Sequence, residues 1–318
     1  MNKQEILATL KRNCGSNSIK LPSDIEFNIL DEMLNIKITA ASTVQNMQKD
    51  SSAFEAWAVL LKRWIEEIET VSLSWDEPLF YSLSDADMLH YQRFLFRAQE
   101  CDRAFSWFTV DRTTSRSLAQ LVVNAIDSPF VLNSQDEDRR RDFAEVLPLD
   151  EYGEDELEEF ILTHPNTTTN FTNTFSLDIV DNQLPVGLFQ DEVLTPNAVF
   201  PHKKSAIDIW GINQQNEFCL FELKNSSNNK VGSLTEMFFY SKVIQKVVEG
   251  IWTIDANDGN VLQIQNANRV RCYLLAPNAH PLIDVETFHL LNGWSDETHF
   301  GWATISIQNE QMQFEINI

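Results

Sequence analysis

The sequence predicts a mixed α/β protein, α+β overall, and three observations lead there. Amphipathic helical stretches recur between short apolar strand-like runs along the 318 residues. Apolar residues make up 43% of the chain, enough for substantial cores at this length. A highly charged stretch, NSQDEDRRRDF and then LDEYGEDE, interrupts the pattern between 133 and 156. It divides the chain into an N-terminal α+β half, 1–140, and a C-terminal half, 141–318.

In order, residues 1–13 read as a short helix, and IEFNIL (25–30) and LNIKITA (34–40) alternate as strands. Ser52-Ala53-Phe54-Glu55 has the form of a capping box. The helix it opens carries Phe54, Trp57, Leu61, Trp64 and Ile68 on one face. VSLSW (71–75) is a strand, Asp85 to Cys101 an amphipathic helix, FSWFTV (105–110) a strand and SRSLAQLVVNAI (115–126) a helix. Trp57, Trp64, Trp75 and Trp107 fit core positions better than a base-stacking platform. This half shows no catalytic constellation, which leaves binding, targeting or assembly. Arg139, Arg140 and Arg141 lie among Asp136, Glu137, Asp138 and Asp142 and read as a self-compensated, solvated run.

The C-terminal half opens with a helix from Glu154 that stops before Pro165. Its first-turn acids suit the helix dipole. FTNTFSLDIV (171–180) and LPVGLF (184–189) supply strands, and a loop from Pro196 to Lys204 leads into AIDIWGI (206–212). The apolar run FCLFELK (218–224) follows a five-residue polar link, so the two form a hairpin. Setting Ile212 opposite Phe218 sets Asp208 opposite Glu222. Alternation then gives Asp208, Glu222 and Lys224 one face. Facing carboxylates repel, and unpaired charge among apolar neighbours is costly to bury. A divalent cation removes the repulsion, and hard oxygen donors suit Mg²⁺. Next come a helix from about Ser233 to Glu249, with Ser233-Leu234-Thr235-Glu236 as a capping box, the strand VRCYLLA (270–276), and a closing hairpin of WATISI (302–307) and MQFEI (312–316).

Asp208 followed fourteen residues later by Glu222-Leu223-Lys224 resembles the PD-(D/E)xK nuclease superfamily, with Ile207 in place of the signature proline. The resemblance covers about residues 150–280. It implies a restriction-endonuclease-like αβββαβ core. Asp208 and Glu222, with the Leu223 carbonyl, would hold Mg²⁺ or Mn²⁺, and Lys224 would help activate water. Glu154 matches a helix glutamate that reaches the metal in several branches, with Glu158 as its competitor. Glu236 and Tyr240 occupy the places of a Gln-x-x-x-Tyr pair near the scissile phosphate, with Glu replacing Gln. The basic groups near this site are His202, Lys203, Lys204, Lys224 and Lys230, of which Lys203 and Lys204 are candidate substrate contacts.

The implied activity is metal-dependent phosphodiester cleavage of DNA, in restriction, repair or phage defence. Nothing in the residues discriminates the sugar, so RNA stays open, as do a homo-oligomer and a protein partner. A net charge of −23 opposes this, since phosphate contacts come from Lys and Arg. It favours the alternative, a binding or assembly protein on an inactive nuclease scaffold. Cys14, Cys101, Cys219 and Cys272 lack metal or redox spacing, and His280, His289 and His299 lack ligand spacing. Thiols without pairing and no membrane-spanning apolar run suggest a cytoplasmic protein with no membrane partner. The polar start, MNKQEILATLKRN, lacks a signal-peptide core. No phosphate-cradling glycine loop is present.

Overall fold

A computed structural model describes residues 1–111, 115–124, 129–133, 147–202, 205–227, 230–256, 258–293, 297–309 and 311–318. Arg139, Arg140, Arg141, Lys203 and Lys204 lie outside them. Helix α1 (Lys3–Cys14) starts on Asn2, whose side chain accepts from the Gln4 and Glu5 amides. Strands β1 (Ile25–Leu30) and β2 (Met33–Ile38) form an antiparallel hairpin. The short α2 (Ala40–Thr43) and then α3 (Phe54–Trp64), β3 (Thr70–Trp75), α4 (Asp85–Ala104) and β4 (Phe108–Val110) complete a sheet of order β1-β2-β3-β4.

Three expectations for this half are corrected. Helix α3 begins behind Ala53 with no side-chain cap. Glu55 instead receives Nε and Nη2 of Arg97 on α4 at 2.6 and 2.5 Å. FSWFTV yields only the three residues of β4. The segment expected as a helix over 115–126 is two 3₁₀ turns, Ser115–Gln120 and Val122–Asn124. Gln92 on α4 takes its backbone: Oε1 accepts from the Val122 amide and Nε2 donates to the Gln120 carbonyl, at 2.9 and 3.2 Å.

After β5 (Phe130–Asn133), helices α5 (Glu154–Thr163) and α6 (Pro165–Phe175) lead into β6 (Leu177–Pro185). The expected strand over 171–180 is thus helical as far as Phe175. His164 caps α6, Pro165 occupies its first position, and Ser176 ends it at φ 54°. Strands β7 (Leu188–Gln190), β8 (Ala206–Asn213) and β9 (Phe218–Leu223) come next, then α7 (Gly232–Val248), β10 (Thr253–Asp255) and α8 (Gly259–Leu262). Strand β11 (Val270–Ala276), α9 (Val285–Asn292), β12 (Thr298–Gln308) and β13 (Gln311–Ile316) close the chain.

Six strands form one sheet of order β13-β12-β11-β9-β8-β6, while β10-β5-β7 form a small separate sheet. Strands β9, β11 and β12 run parallel, and the other neighbours in the large sheet are antiparallel. One face of this sheet packs on α5 and α6. Phe171 and Phe175, one turn apart, meet the Phe221 ring at 4.8 and 4.7 Å. The other face carries Trp210, Phe218 and Leu220 into a cluster with Met237, Phe238 and Ile244 of α7 and Phe54, Trp57 and Phe96 from the N-terminal half. A single apolar core therefore joins elements from both halves. Cys101, Cys219 and Cys272 are buried free thiols. Among the described residues, no helix is long and apolar enough to cross a membrane.

One contact between the halves requires a glycine. A Cβ on Gly232 would stand 2.5 Å from the Gln48 carbonyl oxygen. Gly232→Ala is expected to destabilise the protein by about 1–3 kcal/mol, because backbone rather than a flexible side chain must give way. Urea unfolding reads this directly, and a wild-type midpoint in the variant would refute the close approach.

Candidate active site

The hairpin loop fixes the register. Asn213 Oδ1 accepts from the Gln215 and Glu217 amides at 3.0 and 2.9 Å, and Asn216 takes the left-handed conformation at φ 58°. Ile212 then pairs with Phe218 and Ile209 with Phe221. Continued by one residue, the register brings Asp208 beside Glu222. Asp208 Oδ2 accepts from the Leu223 amide at 2.9 Å, which ties the acid to the adjoining strand.

Lys224 sits at the centre of the acids. Its Nζ donates to Glu222 Oε1 at 2.6 Å and lies 3.6 Å from Glu236 Oε2 and 3.7 Å from Glu154 Oε2. Glu222, Glu236 and Tyr240 are each 2% exposed and Lys224 7%, while the Glu154 carboxylate, at the start of α5, is about one-third exposed. The site thus reaches solvent past Glu154 and is closed at α7. Glu236 does not cap its helix: α7 begins behind Val231 with no side-chain cap, and Ser233 Oγ donates to the Lys230 carbonyl. Tyr240 lies one turn further along α7, inside the core.

Charge crowding moves these groups. Burial, then Lys224 in opposition and Glu236 in support, leaves Asp208 raised to about 7. Burial and Glu236 push Glu222 well above the carboxylate range. Burial alone would lower Lys224, but Glu222, Glu236, Asp208 and Glu154 outweigh it and hold the ammonium charged. Burial, with Glu236, Glu222 and Asp208, raises the Tyr240 phenol.

The N-terminal half adds groups that local sequence pattern does not reveal. Gln48 Nε2 donates to Glu236 Oε1, and Thr235 Oγ1 donates to Glu55 Oε2 at 3.3 Å. Arg93 on α4 is buried, donates to Ser205 Oγ at 3.3 Å and faces His90 Nδ1 at 3.0 Å. Burial lowers Arg93 to about 10, against support from Tyr240, Glu236 and Glu55. A polar loop residue such as Gln48 carries no periodic signal. Arg93 and Arg97, one helical turn apart on a helix otherwise rich in core residues, were the only visible hint.

Glu158, one turn beyond Glu154, points elsewhere. Asn182 Nδ2 and Gln183 Nε2 donate to its two oxygens at 2.7 and 2.6 Å. Burial, only partly offset by Asn182, raises it to about 8. Its unfolded-state pKa is near 4.5, so between these values the folded state holds a proton that the unfolded state has lost. Stability attributable to Glu158 therefore falls as pH rises from about 4.5 to 8. Glu158→Gln is expected to be close to wild type in urea unfolding at pH 4.5 and to exceed it by up to about 5 kcal/mol at pH 9. Equal differences at both pH values would contradict this.

All donors at the centre are hard oxygens, and three or four acids face one ammonium. That donor chemistry fits a divalent cation. Among the described residues, however, no three His, Cys, Asp or Glu side chains are already arranged as a ligand set. Here the ammonium of Lys224 takes the central place. No known protein family, curated protein or solved structure matches the chain.

Proposed function

We propose that the chain is a metal-dependent nuclease of PD-(D/E)xK type that cleaves DNA, with a restriction-endonuclease-like core in its C-terminal half. One observation carries this: a β-hairpin and the helix after it bring Asp208, Glu222, Lys224 and Glu236 together in a buried, over-acidic centre, with Glu154 at its mouth. The element order from α5 and α6 through β6, β8, β9, α7 and β11 supports the αβββαβ reading.

Asp208, Glu222 and the Leu223 carbonyl would hold Mg²⁺ or Mn²⁺. When bound, such a cation supplies a Lewis acid that polarises the phosphate and lowers the pKa of bound water. The protein's own part is positional. Lys224 places a permanent positive charge beside the acids, where it orients water and stabilises charge developing on a phosphate oxygen. Gln48 engages one oxygen of Glu236 and leaves the other towards Lys224. Glu154 adds a solvent-facing carboxylate at the entrance.

Plasmid and single-stranded DNA are to be incubated with wild type, Asp208→Asn and Glu222→Gln in Mg²⁺ or Mn²⁺. Cleavage by wild type alone supports the proposal, and identical products from all three would refute it. Parallel incubation with RNA settles the sugar.

Depth of burial and the charge of −23 favour a second reading, a non-enzymatic binding protein on the same scaffold. Calorimetric titration separates the two. Mg²⁺ or Mn²⁺ binding that both variants abolish supports the nuclease. Its absence, together with no cleavage, supports the scaffold.

A further inference from the structure

The loop between α2 and α3 lays one residue against the acid centre. Gln48 is exposed, yet its backbone and its side chain both meet buried residues of α7. Its carbonyl packs on Gly232, where no Cβ would fit. Glu236 follows four residues later on the same helix face, and the Gln48 side chain reaches one turn along to it. Nε2 donates to Glu236 Oε1 and, among the described residues, is the one hydrogen-bond donor to that carboxylate. Asn46 settles which end of the amide points inward. Its Nδ2 donates to Gln48 Oε1 at 3.2 Å, and its Oδ1 accepts from the Gln48 backbone amide at 3.3 Å. The loop is braced in turn: Trp57 Nε1 donates to the Asp50 carbonyl at 2.9 Å and Ser51 Oγ to Gln45 Oε1 at 2.8 Å.

Held in this way, Glu236 keeps its second oxygen towards Lys224. That oxygen, Oε2, lies 3.6 Å from Nζ, while Glu222 Oε1 lies 2.6 Å from it. The two carboxylates are close neighbours: Glu236 acts on Glu222 more strongly than any other charged group. The ammonium therefore occupies an oxygen of Glu222, a proposed cation ligand, and has a fixed second acceptor just beyond hydrogen-bond distance. Glu222 Oε1 opens to a cation only when Lys224 gives it up.

We infer that Gln48 is a positioning residue: it holds Glu236 ready to receive the Lys224 ammonium, which frees Glu222 Oε1 for a divalent cation. A buried carboxylate that loses its only donor turns towards water or takes a proton. In either state it is a poor acceptor for the ammonium. Lys224 then stays on Glu222 and competes with the cation. The N-terminal half thus sets cation affinity without supplying a ligand, as residues that orient metal ligands from behind commonly do. The inference rests on the reading of Asp208 and Glu222 as cation ligands.

The test is calorimetric titration of the full chain with magnesium chloride at fixed ionic strength. Wild type, Gln48→Leu, Lys224→Met and the double variant are compared, with the unfolding midpoint of each recorded in EDTA. Gln48 is exposed, so Gln48→Leu keeps the fold. It is expected to weaken Mg²⁺ binding about tenfold. In the Lys224→Met background the same substitution should change the affinity by roughly twofold at most, because no ammonium is left to move. Lys224→Gln takes the place of Lys224→Met if the latter does not fold. Equal Mg²⁺ affinity in wild type and Gln48→Leu would overturn the inference and leave the cation reading standing. The same loss in both backgrounds would show that Gln48 supports the acids as structure alone, and would also overturn it. A wild type that binds no Mg²⁺ removes the cation reading and the inference with it.

Discussion

Lys224→Met is expected to remove Mg²⁺-dependent cleavage by a factor of about 10²–10⁴, the range for a positioned group that handles a proton or developing charge. It should also destabilise the metal-free protein by about 3–5 kcal/mol, the cost of removing one partner from a buried charge pair. The ammonium contacts Glu222 at 2.6 Å and neighbours Glu236 and Glu154, so its loss leaves crowded acids without a cation. These effects separate in one experiment. If the acids accept a divalent cation, millimolar Mg²⁺ should raise the unfolding midpoint of Lys224→Met more than that of wild type, by mass action on the folded state. No gain from Mg²⁺ in the variant, together with no cleavage by the wild type, would mean that the acids bind no metal, and the scaffold reading would then stand. Asp208→Asn provides the converse. It relieves the carboxylate that burial and neighbouring acids hold at about 7, retains an acceptor for the Leu223 amide, and removes a proposed ligand. It should be more stable than wild type near pH 8 and indifferent to Mg²⁺.

The hairpin that carries Asp208 and Glu222 was legible in the sequence because its determinants are local. Two apolar runs, a five-residue polar link and strand alternation set a register that matches the pairing of Ile212 with Phe218. Strand β11 was equally legible as an unbroken apolar run. The errors have a common physical origin. The pattern Ser-x-x-Glu occurs at 52–55 and at 233–236, and in both places it suggests a capping box. Glu55, the second residue of α3, and Glu236, the fifth of α7, both face inward, and tertiary partners claim them: Arg97 takes Glu55, while Gln48 and Lys224 engage Glu236. Helix α6 was misread because its threonines favour strands. In place the hydroxyl of Thr172, within the stretch expected as a strand, donates back to the Thr168 carbonyl one turn earlier at 3.0 Å. Gln48 lies 188 residues from Glu236, and no periodicity within either segment encodes that contact.

The second large effect is expected at Arg97, far from the acids in sequence and close to them through packing. Its side chain is 1% exposed, donates twice to Glu55 and once to the Ser52 carbonyl at 2.6 Å, and lies over the Phe54 ring at 5.0 Å. Arg97→Met leaves the Glu55 carboxylate buried among apolar groups with only the Thr235 hydroxyl, at 3.3 Å, as a donor from α7. The expected cost is about 3–5 kcal/mol, or a midpoint lower by roughly 4–8 °C for a chain of this size. Arg97→Met with Glu55→Met should recover most of that loss, because a packed apolar pair replaces a buried ion pair at little net cost. The recovery, read as coupling in a double-mutant cycle, measures the pair itself. Function provides a second axis. Thr235 precedes Glu236, so the Glu55 carboxylate helps to set the first turn of α7 where it meets the acid centre. The double variant should therefore fold at near-wild-type stability yet lose more cleavage activity than stability. Full activity in the double variant would show that the N-terminal half supports α7 by packing alone, and that the polar link through Thr235 is not needed to orient Glu236.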